Sequence, residues 1–151
     1  MEHNLLKTDI VTQVGILVHD IEEAIQNYAD ILGMEKPGWI LTGDLAEAQT
    51  EFRGKPSEAR AKLAFFKVGE TLTLELIEPD HNPSTWREDL DKNGEGIHHL
   101  AFNIKGMNET IARLEANGIP LIQRGEYTGG RYAYLDANKT FKTVIELLEN
   151  D

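Results

Sequence analysis

The chain has 151 residues, a formal net charge of −11 and no cysteine. That length suits one domain, or two small halves sharing a core. The acidic balance, with no lysine–arginine cluster to offset it, argues against nucleic acid and anionic membranes as partners. The lack of cysteine excludes disulfides, thiolate metal sites and cysteine nucleophiles together. No apolar run approaches the roughly 20 residues of a membrane span, and Met1–Asn4 does not open a signal peptide, which fits the cytoplasm.

Ile10 to Val18 alternates and is rich in β-branched residues, so it reads as a strand. Asp20 is a natural helix N-cap, and Glu22 and Glu23 suit the positive end of the helix dipole. Ile21, Ala24, Ile25, Tyr28, Ile31 and Leu32 form one apolar face, and Gly33 ends the helix. Trp39 to Leu41 is a short strand. Gly43 to Ala59 is polar, holds Gly54 and Pro56, and reads as a loop or a frayed edge. Ala61–Val68 and Thr71–Ile77 read as a hairpin about Gly69-Glu70. Pro79 to Gly96 is a linker with a short helix from Ser84 to Leu90.

His98 to Ile104 is the next strand. A helix from Met107 to Asn117 turns Ile111 and Leu114 inward and ends at Gly118. Strands follow at Pro120–Gln123, at Arg131–Leu135 after the turn Gly129-Gly130, and at Thr143–Leu148. The order strand-helix-strand-strand-strand thus occurs twice. An offset of 86 residues relates Gln13 to His99 and Ile25 to Ile111, and one of 85 relates Gly33 to Gly118. Two copies of a unit that cannot bury its own sheet face are expected to pack together. They form a single domain over residues 1–151, with modules at roughly 8–80 and 95–151.

Four polar residues stand at corresponding strand positions. Gln13 and His99 lie on the opening strands, Glu75 and Glu146 on the closing ones. Two carboxylates, an imidazole and an amide oxygen suit a divalent first-row cation such as Zn, Co, Ni or Mn. Each glutamate lies between apolar residues, so its direction is open from the sequence. Taken singly, each reads as the solvent side of an amphipathic strand. The repeat favours a shared site instead.

With Gln13-Val14-Gly15-Ile16-Leu17-Val18-His19-Asp20, Tyr28 and Leu32-Gly33, the chain resembles the vicinal oxygen chelate superfamily. This group includes glyoxalase I, bleomycin-resistance proteins, methylmalonyl-CoA epimerase and extradiol dioxygenases. Gly94-Glu95-Gly96-Ile97-His98-His99-Leu100-Ala101-Phe102 and Leu74-Glu75-Leu76-Ile77-Glu78-Pro79 resemble its epimerase branch most. The resemblance covers nearly the whole chain. It implies an α+β fold in which two βαβββ modules form a U-shaped mixed sheet around a cleft.

It also implies metal ligation by Gln13, Glu75, His99 and Glu146, with Glu146 doubling as the catalytic base, and a homodimer. The lyases and epimerases of the group remove a proton next to a carbonyl and stabilise the resulting enediolate. The implied activity is a metal-dependent isomerase or epimerase acting on a small molecule, with acyl-CoA thioesters as the nearest precedent. A glyoxalase I-like lactoylglutathione lyase and a non-catalytic antibiotic-binding resistance protein are the alternatives.

The chain departs from these patterns in places. Epimerases of the group usually carry histidine where Gln13 stands. Glyoxalase I carries an arginine four residues past that ligand, where this chain has Leu17. The second acid-base of some epimerases falls near Lys62. Arg87 and Arg131 are candidates to meet a substrate anion, although each reads more simply as a surface cation. His98 reads as a surface or hydrogen-bonding residue. His19 reads as solvent-facing, and His3 and His81 carry no argument. Trp39, Phe65, Phe66 and Phe102 read as core. Tyr127 and Tyr132 flank the glycine turn and are placed to border a pocket.

Overall fold

The computed structural model describes all residues from Met1 to Asp151. Strand β1 (Gln13–Leu17) leads into α1 (Ile21–Leu32). Asp20 caps that helix by accepting from the Glu22 and Glu23 amides, and Gly33 ends it in the left-handed conformation. The elements β2 (Ile40–Leu41), α2 (Leu45–Ala48), β3 (Glu51–Phe52) and β4 (Lys55–Pro56) are short. Next come the hairpin β5 (Ala61–Val68) and β6 (Leu72–Pro79), then α3 (Thr85–Asn93) and β7 (Gly96–Asn103). Helix α4 (Met107–Ala116) and strands β8 (Leu121–Tyr127), β9 (Gly130–Asp136) and β10 (Val144–Asn150) complete the chain.

All ten strands belong to one sheet of order β2-β5-β6-β1-β7-β10-β9-β8-β3-β4. β1 pairs parallel with β6, and β7 parallel with β10, while β1 and β7 meet antiparallel at the centre. In a flat sheet β2 and β3 would lie about 38 Å apart. Residues 42 to 50 alone connect them, and four of these are in α2. So short a link forces the sheet to curl until its ends approach. The fold is therefore the α+β curled mixed sheet expected from the sequence.

Of the two readings of residues 43 to 59, the frayed strand edge is the one the structure shows, with the short helix α2 before it. These residues cross the open side of the curl and pair β3 with β8, Glu51 against Arg124 and Phe52 against Gln123. Two-residue strands leave no periodicity to read.

Helices cover the convex face. Ile21, Ile25 and Ala29 of α1 pack on Ala64, Phe66 and Leu76. Met107, Ile111 and Leu114 of α4 pack on Phe102, Leu135, Ile145 and Leu147. Gly106 gives α4 no capping side chain. Glu149 of β10 supplies it instead, accepting from the Gly106 and Met107 amides at 2.6 and 3.3 Å. A third cluster lies within the curl, where Trp86 and Leu90 of α3 meet Leu17, Ile77, Ile122, Tyr134 and Val144.

Candidate functional site

The central strands β6, β1, β7 and β10 lie side by side, and each carries one of the four candidate ligands. The register arranges them in two adjacent rows. One row runs Glu75, Gly15, His99, Val144, and the other Thr73, Gln13, Ala101, Glu146. Members of the two rows are two residues apart along each strand, so they share a face. In each row a very small residue separates the polar ones, Gly15 between Glu75 and His99, and Ala101 between Gln13 and Glu146.

Side chains two strands apart start roughly 10 Å from one another. Here they meet because nothing stands between them. A Cβ on Gly15 would lie 2.5 Å from His99 Nε2, and closer still to Cε1 and Nδ1. The imidazole thus lies over the bare Gly15 backbone, at a register shift in the β1–β7 pairing.

His99 Nε2 faces Glu146 Oε1 at 3.0 Å and Glu75 Oε1 at 3.6 Å. His99 is 0% exposed, Glu146 4% and Glu75 7%. The three donor atoms lie within 4.8 Å of one another. None makes a hydrogen bond, because even the 3.0 Å contact lacks the required geometry. Three buried polar atoms aimed at one another without bonding leave an unmet electrostatic demand. Two carboxylates and an imidazole nitrogen are a donor set that a divalent first-row cation satisfies, so the residues present fit such an ion. Gln13 lines the same cavity as Glu75 and Glu146.

Without an ion, protons answer the demand. Burial first, then the Glu146 charge, push the Glu75 carboxyl up to about 8, against a smaller downward pull from His99. Burial works against a charged His99, but the Glu146 and Glu75 carboxylates outweigh it and raise its pKa.

Behind His99 runs a buried polar chain. His98 Nδ1 and His99 Nδ1 are 2.8 Å apart, and His98 Nε2 lies 3.1 Å from Thr85 Oγ1. The Thr85 amide donates to Gln123 Oε1 (2.8 Å), and Gln123 Nε2 donates to the Tyr132 hydroxyl (3.1 Å). When His99 Nε2 presents a lone pair to the cluster, its Nδ1–H donates to His98. His98 then carries its own proton on Nε2, toward Thr85 and the Asp89 carboxylate at 3.5 Å. Burial, and secondarily His99, hold the His98 pKa well below 6.5, which keeps that ring neutral. Trp86 Nε1 donates to the Tyr134 hydroxyl at 3.1 Å, fixing the aromatic floor.

The cluster opens into a cavity of about 1100 Å³. Tyr127 and Tyr132 line it, as expected. Phe65 lines it too and is 37% exposed, so it is wall rather than core. Phe66 and Phe102 are buried. Trp39 is also not core. Its Nε1 donates to Glu22 at 2.6 Å, and Lys62 Nζ lies 4.6 Å over its ring. Lys62 also pairs with Glu78, away from the cavity wall. Arg87 is bound to Asp91, and Arg131 to Glu149 and Asp151, so both are structural cations. His98 is hydrogen-bonded as one of its two readings had it, but it is buried, not on the surface. His3, His19 and His81 are exposed. No sequence pattern singles out Gly15, Ala101, Thr85 or Arg60. Only the spacing of a glycine two residues after a candidate ligand hinted at the first.

Comparison with known proteins agrees with this architecture. A family model described as Glyoxalase/Bleomycin resistance protein/Dioxygenase superfamily matches residues 12–134. The uncharacterized protein YqjC of Bacillus subtilis (strain 168) is 30% identical over 139 residues, covering 90% of this chain and 89% of its own. A 2-epi-5-epi-valiolone epimerase from Actinomyces sp. is 26% identical over 135 residues, with 82% and 71% covered. The solved methylmalonyl-CoA epimerase of Mycobacterium tuberculosis superposes with a TM-score of 0.61 at 25% identity, over 100% of this chain and 93% of its own. On fold and sequence together, the chain belongs to the Glyoxalase/Bleomycin resistance protein/Dioxygenase superfamily.

Proposed function

We propose that the protein is a metal-dependent isomerase or epimerase that removes a proton next to a carbonyl group of a small molecule. One observation carries this reading: three buried donor atoms of Glu75, His99 and Glu146 converge without hydrogen bonds at the floor of a large cavity. These residues, with Gln13, would hold a divalent ion of the Zn, Co, Ni or Mn kind. When bound, such an ion supplies Lewis acidity toward a substrate oxygen.

The chain's own groups do the rest. Glu146 reaches the cavity and takes the proton. Low exposure around it strengthens every charge interaction that develops there. His99 is held in one orientation by His98, which Thr85 holds in turn. The phenols of Tyr132 and Tyr134 stay protonated, since burial pushes the first up to about 12 and the second well above 10. They serve as hydrogen-bonding groups and not as bases. Both the Mycobacterium and the Actinomyces relatives are named as epimerases, which supports the reaction class. An acyl-CoA thioester, as in the Mycobacterium enzyme's name, is the substrate the resemblance implies. The same resemblance implies a homodimer, and the cysteine-free sequence fits the cytoplasm.

The two alternatives have less support. Leu17, standing where glyoxalase I has its glutathione-binding arginine, is 2% exposed and packs in the inner core, out of the cavity. A purely sequestering protein has no use for two buried carboxylates, which are costly without a cation. Metal analysis after chelator-free purification is expected to find about one divalent ion per chain. Glu146→Gln is expected to stop exchange of the substrate's α-proton with deuterated solvent while the ion stays bound. Absence of metal, with none taken up on titration, would overturn the proposal in favour of the sequestering reading.

A further inference from the structure

The two adjacent histidines of β7 constrain each other. His98 Nδ1 and His99 Nδ1 are 2.8 Å apart, and both rings are buried. A contact that short between ring nitrogens takes one N–H and one lone pair. With both rings neutral, two arrangements satisfy it. In the first, His99 donates from Nδ1, its Nε2 offers a lone pair toward Glu75 and Glu146, and His98 carries its own proton on Nε2. In the second, every assignment is reversed, and His99 Nε2 carries a hydrogen. Only the first leaves that nitrogen able to hold a cation.

What stands at His98 Nε2 therefore decides what His99 presents to the cluster. Thr85 Oγ1 lies there at 3.1 Å and Asp89 Oδ2 at 3.5 Å. Both come from α3, four residues apart and so on one helix face. The Thr85 hydroxyl does not discriminate, since it donates to a lone pair as readily as it accepts from an N–H. A carboxylate does discriminate. It only accepts, and its charge attracts an N–H and repels a lone pair.

Burial first, then the Glu88 charge, raise the Asp89 pKa, but 28% of the side chain meets water, which keeps it ionised at neutral pH. The other acids of α3 are engaged elsewhere, Glu88 with Arg53 and Asp91 with Arg87. The opposing pull on His99 is weak, because the 3.0 Å approach of Nε2 to Glu146 is not in hydrogen-bonding geometry.

We propose that Asp89 is a positioning residue of the site: through His98 it keeps the proton of His99 on Nδ1 and leaves Nε2 open to a cation. No group changes its charge in this; the protons only choose their nitrogens. Asp89 is outside the cavity lining and is not among the three converging residues, so it acts through the two rings alone. Its meaning for function rests on the metal-dependent reading above, but the preference itself belongs to the protein without an ion.

The test uses the full chain with isotope-labelled histidine rings, free of metal, at a pH where both rings are neutral. Nitrogen chemical shifts then tell which nitrogen of His98 carries the proton. It is expected on Nε2 in the unaltered protein and at least partly on Nδ1 in Asp89→Asn, whose amide can turn either end to the ring. Glu88→Gln removes an equal charge one residue away, outside the reach of His98, and is expected to match the unaltered protein. Zinc affinity, read by competition with a chromophoric chelator, is expected to fall about three- to tenfold in Asp89→Asn, less than when a group bonded directly to a ligand is lost.

A His98 proton on Nδ1 in the unaltered protein would overturn the proposal. Where zinc binds, so would an Asp89→Asn variant in which either the His98 proton or the zinc affinity matches Glu88→Gln. If no chain takes up zinc while Asp89→Asn still moves the His98 proton, the positioning role stands and the metal-dependent reading falls.

Discussion

Gly15→Ala isolates the packing feature on which the cluster depends. The added methyl would sit 2.5 Å from His99 Nε2, with the Cε1 and Nδ1 atoms nearer still. Ordinary carbon contacts begin near about 3.5 Å, so the ring must retreat by roughly an ångström or more. It has nowhere to go. His99 is fully buried, Tyr134 stands 5.0 Å away between ring centroids, and His98 holds Nδ1 at 2.8 Å.

Metal–ligand distances tolerate only about 0.2 Å, so an imidazole displaced this far is lost as a ligand. Affinity for zinc or cobalt should fall at least about a hundredfold, the upper end for a disturbed supporting residue. Overpacking should also cost the metal-free protein about 1–3 kcal/mol, or roughly 2–12 °C in Tm for a domain of this size. Competition titration against a chromophoric chelator reads the affinity, and calorimetry of the metal-free protein reads the Tm. Gly38→Ala is the control, because a Cβ there meets nothing within 4 Å and its φ is not in the left-handed range. The reasoning fails if Gly15→Ala binds metal as tightly as Gly38→Ala.

Three other outcomes follow from the same geometry. His98→Leu leaves His99 Nδ1 and Thr85 Oγ1 without partners, so metal affinity should drop about 10- to 100-fold by titration while Glu75 and Glu146 are unaltered. Tyr134→Phe strands the buried Trp86 Nε1–H, and denaturant unfolding should show a loss of about 1–3 kcal/mol with an unchanged m-value. The metal-free protein should lose stability between pH 6.5 and 8. The raised pKa values of Glu75 and His99 give stability that is complete below their ordinary values and disappears as pH passes their folded ones. His98, with its lowered pKa, acts only below its ordinary value of 6.5. A flat Tm over that window in metal-free protein would contradict the assigned titrations.

The fold was legible because its signals are local and periodic. Asp20 and Gly33 bound an apolar helical face at the ends of α1, and the structure places both caps where the residues suggest. The hairpin around Gly69 and the turn at Gly129 are marked by glycines that adopt positive φ. What was not legible depends on contacts distant in the chain. β3 and β4 exist because the curl brings β8 within reach of residues that have no strand pattern of their own.

The direction of Glu75 and Glu146 was likewise undecidable from alternation, since both strands are apolar on either side. The parallel register of β1 with β6 and of β7 with β10 decides it. His98 shows the opposite failure. A histidine beside a candidate ligand, one residue out of phase, points away in an ideal strand. Here β7 bulges at His98, since Gly15 faces His99 and the next residue, Ile16, faces Ile97, so the alternation breaks and His98 lies buried beside its neighbour, with Thr85 of α3 as its second partner.

The cluster and its surroundings follow from one arrangement. Two antiparallel central strands carry Gln13 and His99, and a parallel strand on each outer side carries a glutamate. Gly15 and Ala101 leave the intervening ground empty, so Glu75, His99 and Glu146 from three strands reach a common point, and Gln13 lines the same cavity. Such convergence concentrates negative charge where water is scarce, and the chain places no lysine or arginine there to balance it. A proton on Glu75, whose pKa is pushed up to about 8, relieves the repulsion at neutral pH when no ion is present. A divalent ion would relieve it more completely and would expel that proton on binding. The affinity of the site must therefore rise with pH through the same range in which the metal-free fold weakens. The two trends have one cause, the burial of two carboxylates against a single imidazole.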